Sequence, residues 1–511
     1  MSADMILAIA LRAHAVSTPE APAVLEQGRT WSFAELDARA DELAAGLAAS
    51  GTRPGDRVAL LAAPSATAIA LLAAAGRAGV CVAPLGTRLT GPELAAAGLE
   101  IAPRLVVHGD EHATAAVALG APSVSLEALA ARATAVRAPA TWLDPDAPAV
   151  AVLTSGTTGR PKVALLSHAA LAASSGAWSA ALPAATGWLL CLGLAHVAGL
   201  GVAWRAIAAG VPLRVVSAFD AEVVLDALRA GPASHLSLVP TQLARLLDAD
   251  DGARGATRDA AGPGLRAVLL GGAPVPAALV IRALAAGWPV VPTYGLSEAG
   301  SGVTALATAD AAARPGSAGR ALPGVALRIA DSAADGTGEI MVRTPAAFSR
   351  YLGRPGATAA AFDADGWLRT GDAGRLDADG FLFILDRRDD LLVSGGENVV
   401  PAEVEAALAE HPAIAEAGVV GRPDATWGAV PVAAVVLRPG VPAPTDEELR
   451  AFCRARLAPY KIPAAFLIVA ALPQTASGKL RRAELRAALV ASPVAGSLAP
   501  SPAADGAEVP A

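Results

Sequence analysis

The stretch "TSGTTGRPK" (154–162) sets the hydroxyls of Thr154, Ser155, Thr157 and Thr158 around two glycines, Gly156 and Gly159, and closes on Lys162. Glycines free to take positive φ turn their amides toward one point, and hydroxyl donors with a mobile charge complete a cradle for phosphate oxygens. This is not the Walker loop, because no G-K-[ST] follows at the required spacing. Further along, "YGLSEAG" (294–300) places Tyr294, Gly295, Ser297 and Glu298 at the end of an apolar run. One carboxylate there suits Mg²⁺, which takes one or two protein ligands and fills its shell with phosphate oxygens and water. "RTGD" (369–372) presents Asp372 after a glycine, ready to accept from two vicinal hydroxyls, and "LPQTASGK" (472–479) carries Lys479 at the end of a Ser/Gly-rich loop. Taken singly, the last three have ordinary readings: a carboxylate capping a helix start, an aspartate in a turn, a solvated lysine. Taken together they specify a nucleotide held by its phosphates and ribose.

The elements that must position these groups are legible as apolar runs. "RVALLAA" (57–63), "APAVAVLTS" (147–155), "LRAVLLGG" (265–272) and "PVVPTYG" (289–295) each end in a loop of Gly, Ser, Thr or Pro and alternate with helix-period segments. Continuous apolar strands followed by helices predict sheets covered on both faces, with ligand loops beyond the carboxyl ends of the strands. Residues 58–76 carry no charge over 19 positions, the length of a membrane span, but they are mostly alanine and are interrupted by Pro64 and Ser65. They read as a buried strand followed by a core helix. After 380–399 the texture changes: a helix from Pro401, strands at 417–421 and 431–437, and a helix from Thr445 form a small α+β unit.

With 511 residues the chain exceeds one ordinary core; 54% hydrophobic and 17% charged residues describe a globular α/β protein. A net charge of −7 offers no basic footprint for nucleic acid. The N-terminus lacks a secretory n-region, and the cysteines (Cys81, Cys191, Cys453), odd in number and without metal-ligand spacing, fit reduced thiols in a cytoplasmic protein. The expected organisation is an N-terminal domain over 1–386, a C-terminal domain over 387–491 and a low-complexity, disordered tail over 492–511.

The ordered set 154–162, 271–274, 294–298, 370–372, 387 and 472–479 resembles the adenylate-forming superfamily of acyl-CoA synthetases, peptide-synthetase adenylation domains and luciferases, over roughly residues 15–490. The resemblance implies an α/β fold: a large N-terminal domain of stacked sheets covered by helices, plus a small mobile α+β C-terminal lid. It assigns 154–162 to ATP phosphates, with Thr154 and Glu298 on Mg²⁺. Gly272, Ala273 and Pro274 run along the adenine with Tyr294 stacked on it, beside Gly295 and Ser297. Asp372 and Arg387 hold the ribose, and Lys479 bridges the carboxylate and the α-phosphate. The lid turns about Asp389 and brings in Ser394, Gly395 and Gly396 to line the coenzyme A arm. ATP and a carboxylic acid would give an acyl-adenylate, and the CoA thiol would then displace AMP.

For the acid, 386–408, "APLGTRLTGPEL" (83–94) and "LAHVAGL" (194–200) look most like the o-succinylbenzoate–CoA ligases of menaquinone biosynthesis. That resemblance puts His196, Ser301 and Gly302 at the acyl pocket, with His196 also in a catalytic role. The group usually has Phe where this chain has Ala195, and Thr where it has Ser297. A second carboxylate on the acid requires polar or cationic partners, for which His196, Ser301 and Arg205 are the candidates; a plain fatty acid requires none. Two alternatives stay open: an acyl-CoA synthetase for another aryl or aliphatic acid, and a stand-alone adenylation enzyme loading a carrier protein. The expected partners are small molecules and a second copy of the chain in a homodimer, with no nucleic acid and no membrane span.

Overall fold

The computed structural model describes residues 5–26, 28–133, 144–154, 161–253, 264–273, 275–330, 332, 336–387, 392–473, 480 and 482–490. These residues form two compact units, one ending at the strand Leu382–Arg387 and the other beginning at Leu392–Ser394. Ser155, Gly156, Thr157, Thr158, Gly159, Pro274, Asp389, Lys479 and the 492–511 tail lie outside the described residues.

The first unit holds three sheets. A nine-stranded sheet runs in the order Arg320–Ala321, Thr304–Ala305, Val290–Tyr294, Ala267–Leu270, His235–Leu238, Trp188–Leu190, Leu213–Val215, Pro22–Glu26, Arg29–Ser32, and its six strands from Val290–Tyr294 to Pro22–Glu26 are mutually parallel. A seven-stranded sheet runs Arg350–Tyr351, Lys162–Ser167, Pro148–Thr154, Cys81–Pro84, Arg57–Leu61, Leu105–His108, Ser123–Ser125. A four-stranded antiparallel sheet carries Leu368–Leu376 beside Leu382–Arg387.

The charge-free stretch 58–76 resolves as the sequence predicts, into the strand Arg57–Leu61 and the helix Ala66–Ala78. The helix packs on the helix Phe33–Ala49 and touches strands of both large sheets, Pro22–Glu26 on one side and Cys81–Pro84 and Pro148–Thr154 on the other. With neighbours all round, no face requires polarity. Ser65 starts it by accepting from Ala68 N, and Gly79 at φ 68° ends it. Each fully buried leucine along it, such as Leu71, contributes about 1.5–3 kcal/mol. Among the described residues no helix is long and apolar enough to cross a membrane.

The second unit is a five-stranded sheet of Glu397–Val399, Leu392–Ser394, Gly428–Leu437, Ile414–Asp424 and Ala465–Ile468, with the helices Pro401–Ala409, Asp446–Arg454 and Arg482–Val490. Thr445 and Glu448 form a reciprocal capping box at the second helix. The two strands expected at 417–421 and 431–437 lie within the longer strands Ile414–Asp424 and Gly428–Leu437, because antiparallel pairing recruits flanking residues that lack an apolar signature.

Candidate active site

Three of the predicted clusters stand at carboxyl ends of strands in the first unit. Thr154 ends Pro148–Thr154, whose partner begins at Lys162, so the chain between them joins an antiparallel pair with Thr154 opposite Lys162. Gly272 and Ala273 follow Ala267–Leu270; Gly272 adopts φ 75°. Tyr294 ends Val290–Tyr294, and Ser297–Ala299 then makes one 3-10 turn that carries Glu298.

Asp372 is not in a turn. It sits inside the nine-residue strand Leu368–Leu376, where Gly371 at φ 73° and register breaks on both sides bulge the strand. It is 4% exposed and accepts a 2.6 Å hydrogen bond from Tyr294 Oη on the neighbouring sheet. Arg387, whose side chain lies outside the description, pairs with Asp372 across the ladder. Two residues assigned to the ribose therefore occupy one rung.

Glu298 is half-buried and accepts at 2.7 Å from Tyr351 Oη, while Phe348 N donates to its carbonyl. Lys162 Nζ lies 5.0 Å from the Tyr351 ring centroid, a cation–π distance that joins the lysine after the phosphate loop to the acid. Burial, and then the neighbouring Glu298 charge, raise the Tyr351 pKa, so this hydroxyl stays a donor. The chain has only three tyrosines, and two of them donate to the two acids. That scarcity was the signal available for Tyr351. Among the described residues no group of three or more His, Cys, Asp or Glu gathers as a metal cage. A single carboxylate with one oxygen bonded to Tyr351 fits a Mg²⁺ that arrives on a triphosphate rather than one held by the protein alone.

A different kind of cluster lies on the helix Val197–Ala208 and the turn after Glu298. Arg205 is 2% exposed; its Nε and Nη1 are buried without a hydrogen-bond partner among the described residues, and its guanidinium stands 4.8 Å from the Trp188 ring and 5.6 Å from the Trp178 ring. Burial pulls its pKa down to about 9, still above neutral, so the group is a buried cation. A Cβ on Gly201 would stand 2.9 Å from Arg205 Nη1 and 3.4 Å from Ser301 Oγ, so these groups border one small space. Trp178 Nε1, also without a partner among the described residues, would lie 2.3 Å from a Cβ on Gly302. Ser301 takes φ 89°, strained for a side-chain-bearing residue, and Gly295 lets its carbonyl approach to 2.2 Å of where a Cβ would be. His196 is the N-cap residue of the same helix, nine positions before Arg205 and about 13 Å away along the axis. The structure thus joins Ser301, Gly302 and Arg205, with Trp178 as a member that the motifs did not announce, and leaves His196 at the other end of the helix.

In the second unit, Ser394 is buried, and Gly395 and Gly396 form the two-residue turn of a hairpin at φ 58° and 86°. Both positive angles require glycine-like freedom. A Cβ on Gly395 would stand 2.7 Å from the Trp427 ring.

Comparison with known proteins gives the family. Residues 11–352 match the AMP-binding enzyme family and residues 403–479 its C-terminal domain. A 2-succinylbenzoate–CoA ligase of Geobacillus kaustophilus is 38% identical over 482 residues, covering 93% of this chain and 96% of that one. The o-succinylbenzoate CoA synthetase of Bacillus subtilis, solved as a double mutant with its product analogue OSB-NCoA, superposes with a TM-score of 0.86 at 34% identity, covering 94% of this chain and 98% of the other. The same synthetase with the acyl-adenylate OSB-AMP, and with ATP and a magnesium ion, gives TM-scores of 0.71 and 0.69, each at 34% identity over 93% of this chain and 97% and 98% of theirs.

Proposed function

The chain belongs to the AMP-binding enzyme family, and on that premise we propose that it is an ATP-dependent, AMP-forming acid–CoA ligase whose acid is o-succinylbenzoate, an aryl dicarboxylate, acting in the cytoplasm in menaquinone biosynthesis. One observation carries the choice of acid: Arg205, a buried cation with two N–H positions that have no partner among the described residues, beside Ser301 and next to Trp178, whose N–H likewise has none. An unpaired buried charge costs stability and persists where a ligand supplies its counter-charge. A fatty acyl chain would leave those donors unsatisfied; a second carboxylate would satisfy them.

In this reading the carboxylate to be activated lies toward the nucleotide, and the second carboxylate lies against Arg205. Asp372, held by Tyr294, accepts from the ribose hydroxyls, and Arg387 on the opposing rung adds a second ribose contact. Glu298, aimed by Tyr351, and Thr154 would hold Mg²⁺, which neutralises triphosphate charge when bound. Residues 155–160 with Lys162 cradle the phosphates, and Lys479 bridges the reacting carboxylate and the α-phosphate. Two anions approach each other in this step, so fixed cations aimed at the developing charge lower the barrier. A lid of residues 387–491, hinged at Asp389, then brings Ser394, Gly395 and Gly396 to the thiol arm of CoA.

Two measurements test this. AMP release with ATP and CoA across o-succinylbenzoate, benzoate, malonate and medium-chain fatty acids should show a preference of two or more orders of magnitude for o-succinylbenzoate; equal turnover of fatty acids sinks the assignment of the acid. Lys479→Ala should abolish pyrophosphate exchange yet spare thioester formation from supplied acyl-adenylate. Unchanged exchange removes that lysine from the first step.

A further inference from the structure

A cavity of about 540 Å³, sharing no residue with the site above, opens at the carboxyl ends of strands from the two large sheets. Its walls come from the segments after three strands: Pro64, Ser65 and Thr67 after Arg57–Leu61, His108 to Asp110 at Leu105–His108, and Val216 to Ala218 after Leu213–Val215. In the seven-stranded sheet the chain leaves Arg57–Leu61 toward Cys81–Pro84 on one side, and leaves Leu105–His108 toward Ser123–Ser125 on the other, all of them parallel. Adjacent parallel strands whose connections depart in opposite directions open a crevice at their carboxyl ends, the usual ligand position in such sheets.

The free ionisable groups of this crevice, His108 and Asp110, offer acceptors, and Ser217 adds a hydroxyl that can donate or accept. His108 is 6% exposed; its Nδ1 lies 2.9 Å from the Gly109 carbonyl and so carries the proton in the neutral ring, which leaves Nε2 a lone-pair acceptor with no partner among the described residues. Asp110 is exposed at the rim, and its carboxylate has no hydrogen bond or ion pair among the described residues. Glu26 and Glu127 also line the space but are occupied: Glu26 accepts from Trp31 Nε1 and Ala66 N, and Glu127 from Thr67 Oγ1 while facing Arg39. No Lys or Arg is among the lining residues, which disfavours an anion. Leu126, Val215, Val216 and Val223 give the remainder an apolar wall.

We propose that this crevice is a second binding site, for a small molecule that carries a primary ammonium on an apolar body. The ammonium donates to Asp110 and to His108 Nε2, and the body lies against the valines and Leu126. Titration calorimetry of the full chain with 2-phenylethylamine at pH 7.5 tests it. Saturable one-to-one binding is expected, with Kd on the order of 0.1–1 mM, the range that a few well-placed contacts supply. The isosteric alcohol 2-phenylethanol should bind at least about tenfold more weakly, as should Asp110→Asn and the rim-filling Val223→Trp towards the amine. Saturating ATP should not displace the amine, and Asp110→Asn should keep its melting temperature and its acid-activating turnover. No saturation at about 10 mM amine, equal binding of the alcohol, indifference to both substitutions, or displacement by ATP would each overturn the proposal.

Discussion

The two ends of the proposed active site are built on opposite plans. At the nucleotide end the acids are already held: Tyr294 donates to Asp372 and Tyr351 to Glu298, each at 2.6–2.7 Å and each from another strand. At the acid end Arg205 and Trp178 have N–H positions without a partner among the described residues, and the Arg205 guanidinium stands beside the Trp178 and Trp188 rings. The first plan preorganises; groups that must be aligned in every turnover are fixed before any ligand arrives. The second discriminates, because a pocket with unsatisfied buried donors penalises any acid that lacks the matching acceptor.

Arg205→Met breaks the comparison most sharply. Turnover of o-succinylbenzoate should fall by about 10²–10³ in kcat/KM, the cost of removing one partner of a buried charge-assisted contact. The same variant should melt higher than the parent, since an unpaired buried cation has become an apolar side chain; a lower melting temperature, or retained turnover, would show that Arg205 is structural. Asp372→Ala tests the preorganised end: KM for ATP should rise about 10–100-fold with the acid preference unaltered, whereas a changed acid preference would merge the two ends into one. Tyr351→Phe should have a smaller effect, a several-fold higher magnesium requirement at saturating ATP with an unchanged melting temperature, read from initial rates against Mg²⁺.

The smallest effect concerns pH. His168 and His235 are buried and pushed down to about 4, chiefly by desolvation; Asp144 opposes this at His168, while at His235 a backbone hydrogen bond to Pro183 opposes it and Arg205 and Arg266 reinforce it. Their folded pKa lies below the unfolded value, so the unfolded chain binds more protons between about pH 6.5 and 4. Their neutral burial is fully tolerated above that window, and stability is lost as pH falls through it. Melting temperatures should drop from pH 7 to 5, less steeply in His168→Phe; identical slopes would remove His168 from the account.

Much of the nucleotide end was legible because loops after apolar strands carry their chemistry in contiguous strings. Asp372 misled locally: "RTGD" reads as a turn, but the tertiary ladder with Gly338–Arg343 and Leu382–Arg387 overrides that propensity, and Gly371 serves as a bulge. Trp178 was not legible and Tyr351 only as one of three tyrosines, since each belongs to the site through a partner more than fifty residues away. The cavity beside His108 was invisible for the same reason. No string announces it; only the order of the strands does.

The two glycines beside Arg205 and Trp178 set unequal limits on how this enzyme can change its diet. A methyl group at Gly302 meets the rigid indole of a tryptophan that is 2% exposed, so that wall is closed to evolutionary drift short of rebuilding the helix behind it. At Gly201 the same carbon meets first the terminal nitrogen of Arg205, the far end of a long side chain that can swing aside. Descendants of this chain that acquire new acids should therefore arise through position 201 before position 302, and a saturation library at the former is the place to look for them.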